Sequence, residues 1–108
     1  MGIRMAAPVG EQPVIELLQW RILETAPDAE RHFVGRNVHS FDGRISSPIQ
    51  FVDTDRRQGI TSSGRVYVLI GPAGGAAVSQ YVWDEWCDRH GVSGYTDVTD
   101  ELFQENWQ

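Results

Sequence analysis

Carboxylates form the densest group of chemistry-bearing side chains in this sequence. Asp84, Glu85 and Asp88 fall in one stretch, and Asp97, Asp100, Glu101 and Glu105 follow, with Arg89 the only opposing charge from residue 68 onward. Grouped acids of this kind solvate a face, collect a hard divalent cation through several oxygens, or imitate a run of phosphates for a basic partner. Neither Asp84/Asp88, Asp97-x-x-Asp100-Glu101 nor the earlier Asp53-x-Asp55 carries the Gly-and-Glu pattern of a calcium loop, so no metal site is expected. The partner such a face fits is a protein with a basic, nucleic-acid-binding groove.

The opposite pole is basic. Residues 31–67 hold six of the nine arginines against three aspartates, and the chain has no lysine. Arg44, Arg56, Arg57 and Arg65 lie on neighbouring hairpins and are candidates for an anion patch, with Tyr67 as a stacking surface. Direct nucleic-acid binding through them ranks below protein binding, because the chain carries a net charge of −6 and a pI near 4.8, whereas binders of a phosphate backbone are usually basic.

Two smaller motifs complete the chemistry. Gly71-Pro72-Ala73-Gly74-Gly75 links an apolar strand to a helix, the setting in which backbone N–H groups and a helix amino terminus hold an anion. It has neither the lysine and spacing of a Walker loop nor the G-x-G-x-x-G pattern, so a small-ligand or metal-dependent enzyme built on Gly71–Gly75 is the alternative reading, and no cofactor is expected. Cys87 and His90 stand three apart on a helix. With no second cysteine and no third group to orient them, core packing is the better reading than nucleophile or half-site.

These residues must be positioned by a small fold. The 108 residues, 41% hydrophobic and 22% charged, suit one globular domain, expected over 13–108 after a flexible leader at 1–12. No apolar run reaches the roughly 18 residues of a membrane span. The single cysteine agrees with a reducing compartment, so a cytoplasmic location is expected. Asp42–Ile70 reads as consecutive strands broken at Asp42-Gly43, around Arg56–Gly59 and at Ser63-Gly64. Pro13–Thr25 fits a helix, with Pro13 at its first position and Leu18 and Ile22 four apart, or a strand with Leu18, Trp20 and Ile22 on one face. A sheet otherwise left with three strands favours the strand, and His32–Val38 reads as the next, with Gly35 at a bulge or close contact. Ile45, Ile49 and Phe51 fall on one face of the following strand, whose ladder Pro48 interrupts, putting it at an edge or a bulge.

Val66–Ile70 is apolar on both faces and is expected to be central, with the helix as its cover. That helix spans Ala76–His90, is capped by Gly91, and docks Trp83 and Trp86 on Val66, Val68 or Ile70 while Asp84, Glu85 and Asp88 face outward. A last turn begins at Thr99, docked by Phe103 and Trp107. The expected architecture is α+β: a bent antiparallel sheet of four or five strands, open or partly closed into a small barrel, with one amphipathic helix across it.

Trp20-x-Ile22, His32-Phe33-Val34-Gly35, Gly43-Arg44-Ile45-Ser46-Ser47-Pro48-Ile49 and Thr61-Ser62-Ser63-Gly64-Arg65-Val66-Tyr67-x-Leu69 resemble a class of small uncharacterised proteobacterial and prophage proteins. The resemblance covers about half the chain and implies a shared small β-sheet fold with no catalytic positions. It also implies a phage or mobile-element accessory role, in which an acidic protein binds and blocks a host nucleic-acid-handling or defence complex as anti-CRISPR proteins do. The expected function is therefore non-enzymatic protein binding.

Overall fold

Thirteen residues, Val14–Ala26, make the strand on which the rest of the sheet is laid (β1). In a computed structural model that describes residues 13–103, β1 pairs along one edge with β2 (Arg31–Asn37). Its other edge is shared by two later strands. Val14–Leu17 pair in parallel with β6 (Val66–Leu69), and Leu23–Ala26 pair antiparallel with β7 (Gly94–Asp97). β3 (Gly43–Ile45), β4 (Ile49–Asp53) and β5 (Gln58–Thr61) complete one sheet of order β3-β2-β1-β6-β5-β4, with β7 off that path. The expected leader, Glu105 and Trp107 lie outside the described residues.

The sheet is therefore mixed and has seven strands, where four or five antiparallel ones were expected. The strand expected to carry Ile45, Ile49 and Phe51 is broken at Ser46–Pro48 into β3 and β4, which end at opposite edges of the sheet, and the short β7 adds another, while the parallel β1–β6 pair makes the sheet mixed. The buried face of β1 alternates on either side of a bulge, and Leu23, on the opposite face, is buried as well. Ile15 and Leu17 face the core, Gln19 takes a φ of 50°, and Trp20 and Ile22 then face the same way. This bulge sits opposite Gly35, where a Cβ would lie 3.0 Å from the Leu18 carbonyl oxygen and 3.2 Å from the Trp20 Cα. The extra residue returns Trp20 to the core face and leaves Leu18 off it, contrary to the simple alternation.

The sheet curls without closing. Three strand spacings separate β2 from β5, about 14 Å if flat, yet a Cβ built on Gly59 would come within 2.5 Å of Phe33 Cζ. Inside the curl lies the main core: Ile15, Leu17, Trp20, Ile22, Phe33 and Tyr67, joined by Leu69, Val98 and Phe103. Closure would require β3 to meet β4. The chain instead steps out of register at Ser46–Pro48, where the Ser46 N–H donates to the Phe33 carbonyl and Ser46 Oγ accepts from the Phe33 N–H. β4 is left as an edge strand, one of the two placements Pro48 allows. A register shift between Ile49 and Phe51 puts Ile49 against the core and leaves Phe51 64% exposed, so the two do not share a face.

The helix α1 spans Ala77–Arg89 and ends with Gly91 at a φ of 64°, the Val92 N–H reaching back to the Cys87 carbonyl in a Schellman closure. It lies on β2 and β3 rather than on β6. Its fully buried Trp83 packs with Leu23 and Val34, and half-buried Trp86 joins Ile45 there. The reason is Gly43. A Cβ at this position would lie 2.7 Å from the Val78 carbonyl oxygen and 3.1 Å from the Ser79 Cα, so a bare backbone is what lets the helix approach. Gly43 thus serves close packing and not a turn, whereas Gly64, with a φ of 88°, does make the turn expected of it. A second helix, α2 (Thr99–Leu102), is a single turn; the Ile22 N–H donates to Thr99 Oγ1 and Phe103 meets Trp20 edge-on at 4.9 Å.

Candidate functional site

With α1 placed over β2 and β3, no helix among the described residues lies on the outer face of β6, β5 and β4. The strand registers align Val14, Val66, Ile60 and Phe51 in one row across four strands. Directly opposed residues share a sheet face, and this face is turned away from the buried Ile15 and Tyr67. Val14, Ile60 and Phe51 are exposed by 49, 41 and 64%. The row runs out to β4, whose other side has no strand neighbour among the described residues. Along that side a groove of about 430 Å³ is bounded by Ile49, Gln50 and Val52, by Glu30 and Arg31 at the start of β2, and by Leu102 of α2. Its rim is acidic. Arg31 Nε donates to Glu24 at 2.8 Å and an Nη stands 4.0 Å from Glu101, so the one cation is already matched, and the Glu30 carboxylate is half exposed.

The acids expected to form one face are divided. Asp84 and Asp88 are exposed on the outer side of α1 with half-buried Glu85. Gln80 Nε2 donates to Asp84 at 2.8 Å and the Tyr81 hydroxyl donates to Glu85 at the same distance. Asp97 is held elsewhere, as the 2.7 Å partner of Arg21. Burial alone would raise its pKa, but its bonds from Arg21 and Thr99 outweigh that and hold the carboxyl below its ordinary 3.8. Asp100 and Glu101 lie in α2, by the β4 groove.

The four arginines do not form a patch. Arg65 is buried, and Arg44 Nε donates to the Tyr67 hydroxyl at 3.1 Å. Arg57 lies over the rings of Trp20 and Phe103, at 5.2 and 5.6 Å, and donates to the Gly71 carbonyl at 2.9 Å. Arg56 is the exposed member, 3.8 Å from Asp53. Cys87 is half-buried and its thiol is pushed above the usual 9.0, chiefly by burial and further by Asp84. That is the opposite of an activated thiolate. Among the described residues no three His, Cys, Asp or Glu side chains come together as a metal site, and no helix is long and apolar enough to cross a membrane.

A second concavity, of about 290 Å³, opens at the amino end of α1. Gly75 of the glycine-rich link, Ser79, Gln80, Arg21, Tyr95 and Asp97 line it. The sequence gives no reason to single out Arg21, Ser79 or Tyr95, because β1–β7 pairing is what brings the first and last of them together. The polar residues among them are the only local signal. No protein-family model matches the chain, and neither a curated protein nor a solved structure does.

Proposed function

We propose that the protein is a non-enzymatic binding domain whose partner is an extended, basic segment of another protein laid along β4. The observation that carries this reading is the groove beside an edge strand, with an apolar floor and carboxylates at its rim. An edge strand presents unpaired N–H and C=O groups that a further strand can satisfy, and alternate side chains of that strand supply specificity. Ile49-Gln50-Phe51-Val52-Asp53 contains no lysine or proline to blunt the pairing. Glu30 and Glu101 favour arginine or lysine at the partner's outward positions. The test uses short extended peptides in which valine alternates with lysine or with glutamate, followed by amide exchange of the protein. Binding of the lysine series with new protection over Ile49–Asp53 supports the reading; equal binding of both series, or protection confined to α1, rejects it.

A second reading places the partner on α1. Asp84, Glu85 and Asp88 share α1 with Tyr81, which is 54% exposed and donates its hydroxyl to Glu85, and none of the three acids forms an ion pair among the described residues. This strip fits imitation of a phosphate run before a basic groove, the act expected of a phage or mobile-element protein that blocks a host complex. Direct nucleic-acid binding by the arginines ranks third, since Arg44, Arg57 and Arg65 are engaged in the fold.

A further inference from the structure

We propose that the concavity at the amino end of α1 binds a small oxyanion, a phosphate or carboxylate group, through the N–H and hydroxyl of Ser79, the first-turn residue that lines it, with the N–H groups of Ala77 and Val78 adding to the positive end of the helix. The helix begins without a cap. Ala76, in extended conformation, has no side chain to accept a bond, and the first turn contains no acid. The Gln80 N–H closes the first intrahelical bond to the Ala76 carbonyl at 3.0 Å, so the N–H groups of Ala77, Val78 and Ser79 precede it and lack acceptors among the described residues. Donors of this kind, at the positive end of the helix dipole, attract negative oxygen.

An independent observation points the same way. Ser79 is 4% exposed, lines the concavity, and its Oγ is buried without a hydrogen-bond partner among the described residues. Buried hydroxyls are seldom left so, and a ligand oxygen would supply the missing acceptor. One turn on, Trp83 Nε1 is likewise buried and unpartnered, and the Tyr95 ring stands edge-on to Trp83 at 5.3 Å. The one carboxylate in the lining does not repel such a ligand at full strength. Asp97 accepts from Arg21 Nε on one oxygen and from the Thr99 N–H at 3.0 Å on the other. The tyrosine face and a volume of about 290 Å³ leave room for an organic body behind the anionic head. The glycine-rich link contributes Gly75, without a Cβ, at the mouth.

The site lies on a different face from the β4 groove, so it can fail while the protein-binding reading stands. The experiment titrates the whole chain with inorganic phosphate and, separately, with acetate at low ionic strength, following backbone amides by NMR. Saturable shifts at Ala77, Val78 and Ser79 are expected with at least one anion, phosphate alone marking a phosphorylated ligand and acetate alone a carboxylate. Ala76→Asp then separates a binding site from an ordinary helix end. Its carboxylate caps the same N–H groups, so the melting temperature should rise while anion affinity falls by about tenfold or more. Ser79→Ala should weaken binding with the fold intact. Shifts absent from these three amides for both anions, or binding unchanged in Ala76→Asp, would overturn the assignment.

Discussion

His32 Nδ1 lies 2.8 Å from the Ser46 carbonyl oxygen, which can only accept, so Nδ1 carries the proton and Nε2 is left inside the protein with a lone pair. The ring is 1% exposed and is packed edge-on to Trp86 at 4.8 Å. Burial lowers the His32 pKa from 6.5; the Ser46 bond and Glu30 oppose this in part, and His90 adds to it. A depressed folded value means that the unfolded chain takes up the proton first. Stability should therefore be full above about pH 6.5 and be lost as pH falls through the lowered folded pKa. The urea midpoint measured against pH checks this. His32→Asn keeps a donor for Ser46 without a titrating group, and should remove that part of the slope; an unaltered slope would refute the assignment.

Arg57 and Arg56 are neighbours with different duties. Arg57 covers Trp20 and Phe103 and shares the Gly71 carbonyl with Trp20 Nε1, which donates to it at 3.1 Å. Losing a cation–π contact and a charged hydrogen bond, Arg57→Ala should cost about 1–2 kcal/mol. Arg56→Ala, in an exposed turn, should cost less than about 0.5 kcal/mol. Chemical denaturation of the two single variants decides between this and equal roles as surface charges.

Much of the fold was legible from local pattern, and what was not depends on partners distant in the chain. Turn glycine at Gly64, the cap at Gly91 and proline at the β4 edge act through their own backbone, so residue type was enough. Parallel pairing of Val14–Leu17 with Val66–Leu69 leaves no local mark. β7 was missed because Tyr95, Thr96 and Asp97 are all exposed and carry no apolar alternation. The roles of Arg57 and Gly43 were misread for the same reason: an arginine in a turn looks solvated until Trp20 comes beneath it, and Asp-Gly looks like a hairpin until a helix occupies the space. Of the candidate sites, Asp84 and Asp88 stay exposed on α1 while Glu85 is half-buried, and Asp97 is drawn off by Arg21, fixed by a pairing of strands more than seventy residues apart.

Gly43 gives the sharpest test of how α1 is seated. An alanine there would press on the Val78 carbonyl oxygen at 2.7 Å, which is helix backbone and can yield only if α1 moves. Gly43→Ala should lower stability by about 1–3 kcal/mol and alter the near-ultraviolet dichroism of the stacked Trp83 and Trp86 rings. Gly64→Ala meets nothing within 4 Å and is opposed only by its φ, so its loss should be smaller, about 1 kcal/mol, with the dichroism unchanged. Matching spectra for both variants would mean that α1 does not depend on the bare backbone at Gly43.

The two surfaces offered to a protein partner can be separated by charge. Glu30→Lys with Glu101→Lys inverts the rim of the β4 groove, and Asp84→Lys with Asp88→Lys inverts the outer strip of α1. All four residues are exposed, and removing the 4.0 Å approach of Arg31 to Glu101 should matter little for stability, since exposed pairs contribute about 0–1 kcal/mol. Melting temperatures of both double variants should therefore stay close to that of the parent. If the extended basic segment lies along β4, the first pair abolishes binding of the valine–lysine peptide and the second leaves it nearly unaltered, because screening at physiological salt limits each charge to roughly 8 Å. The association rate should fall with added salt in the parent and lose that dependence in the first variant. Loss of binding with the second pair alone would instead place the partner on Tyr81 and its neighbouring acids, and would reject β4 as the docking edge.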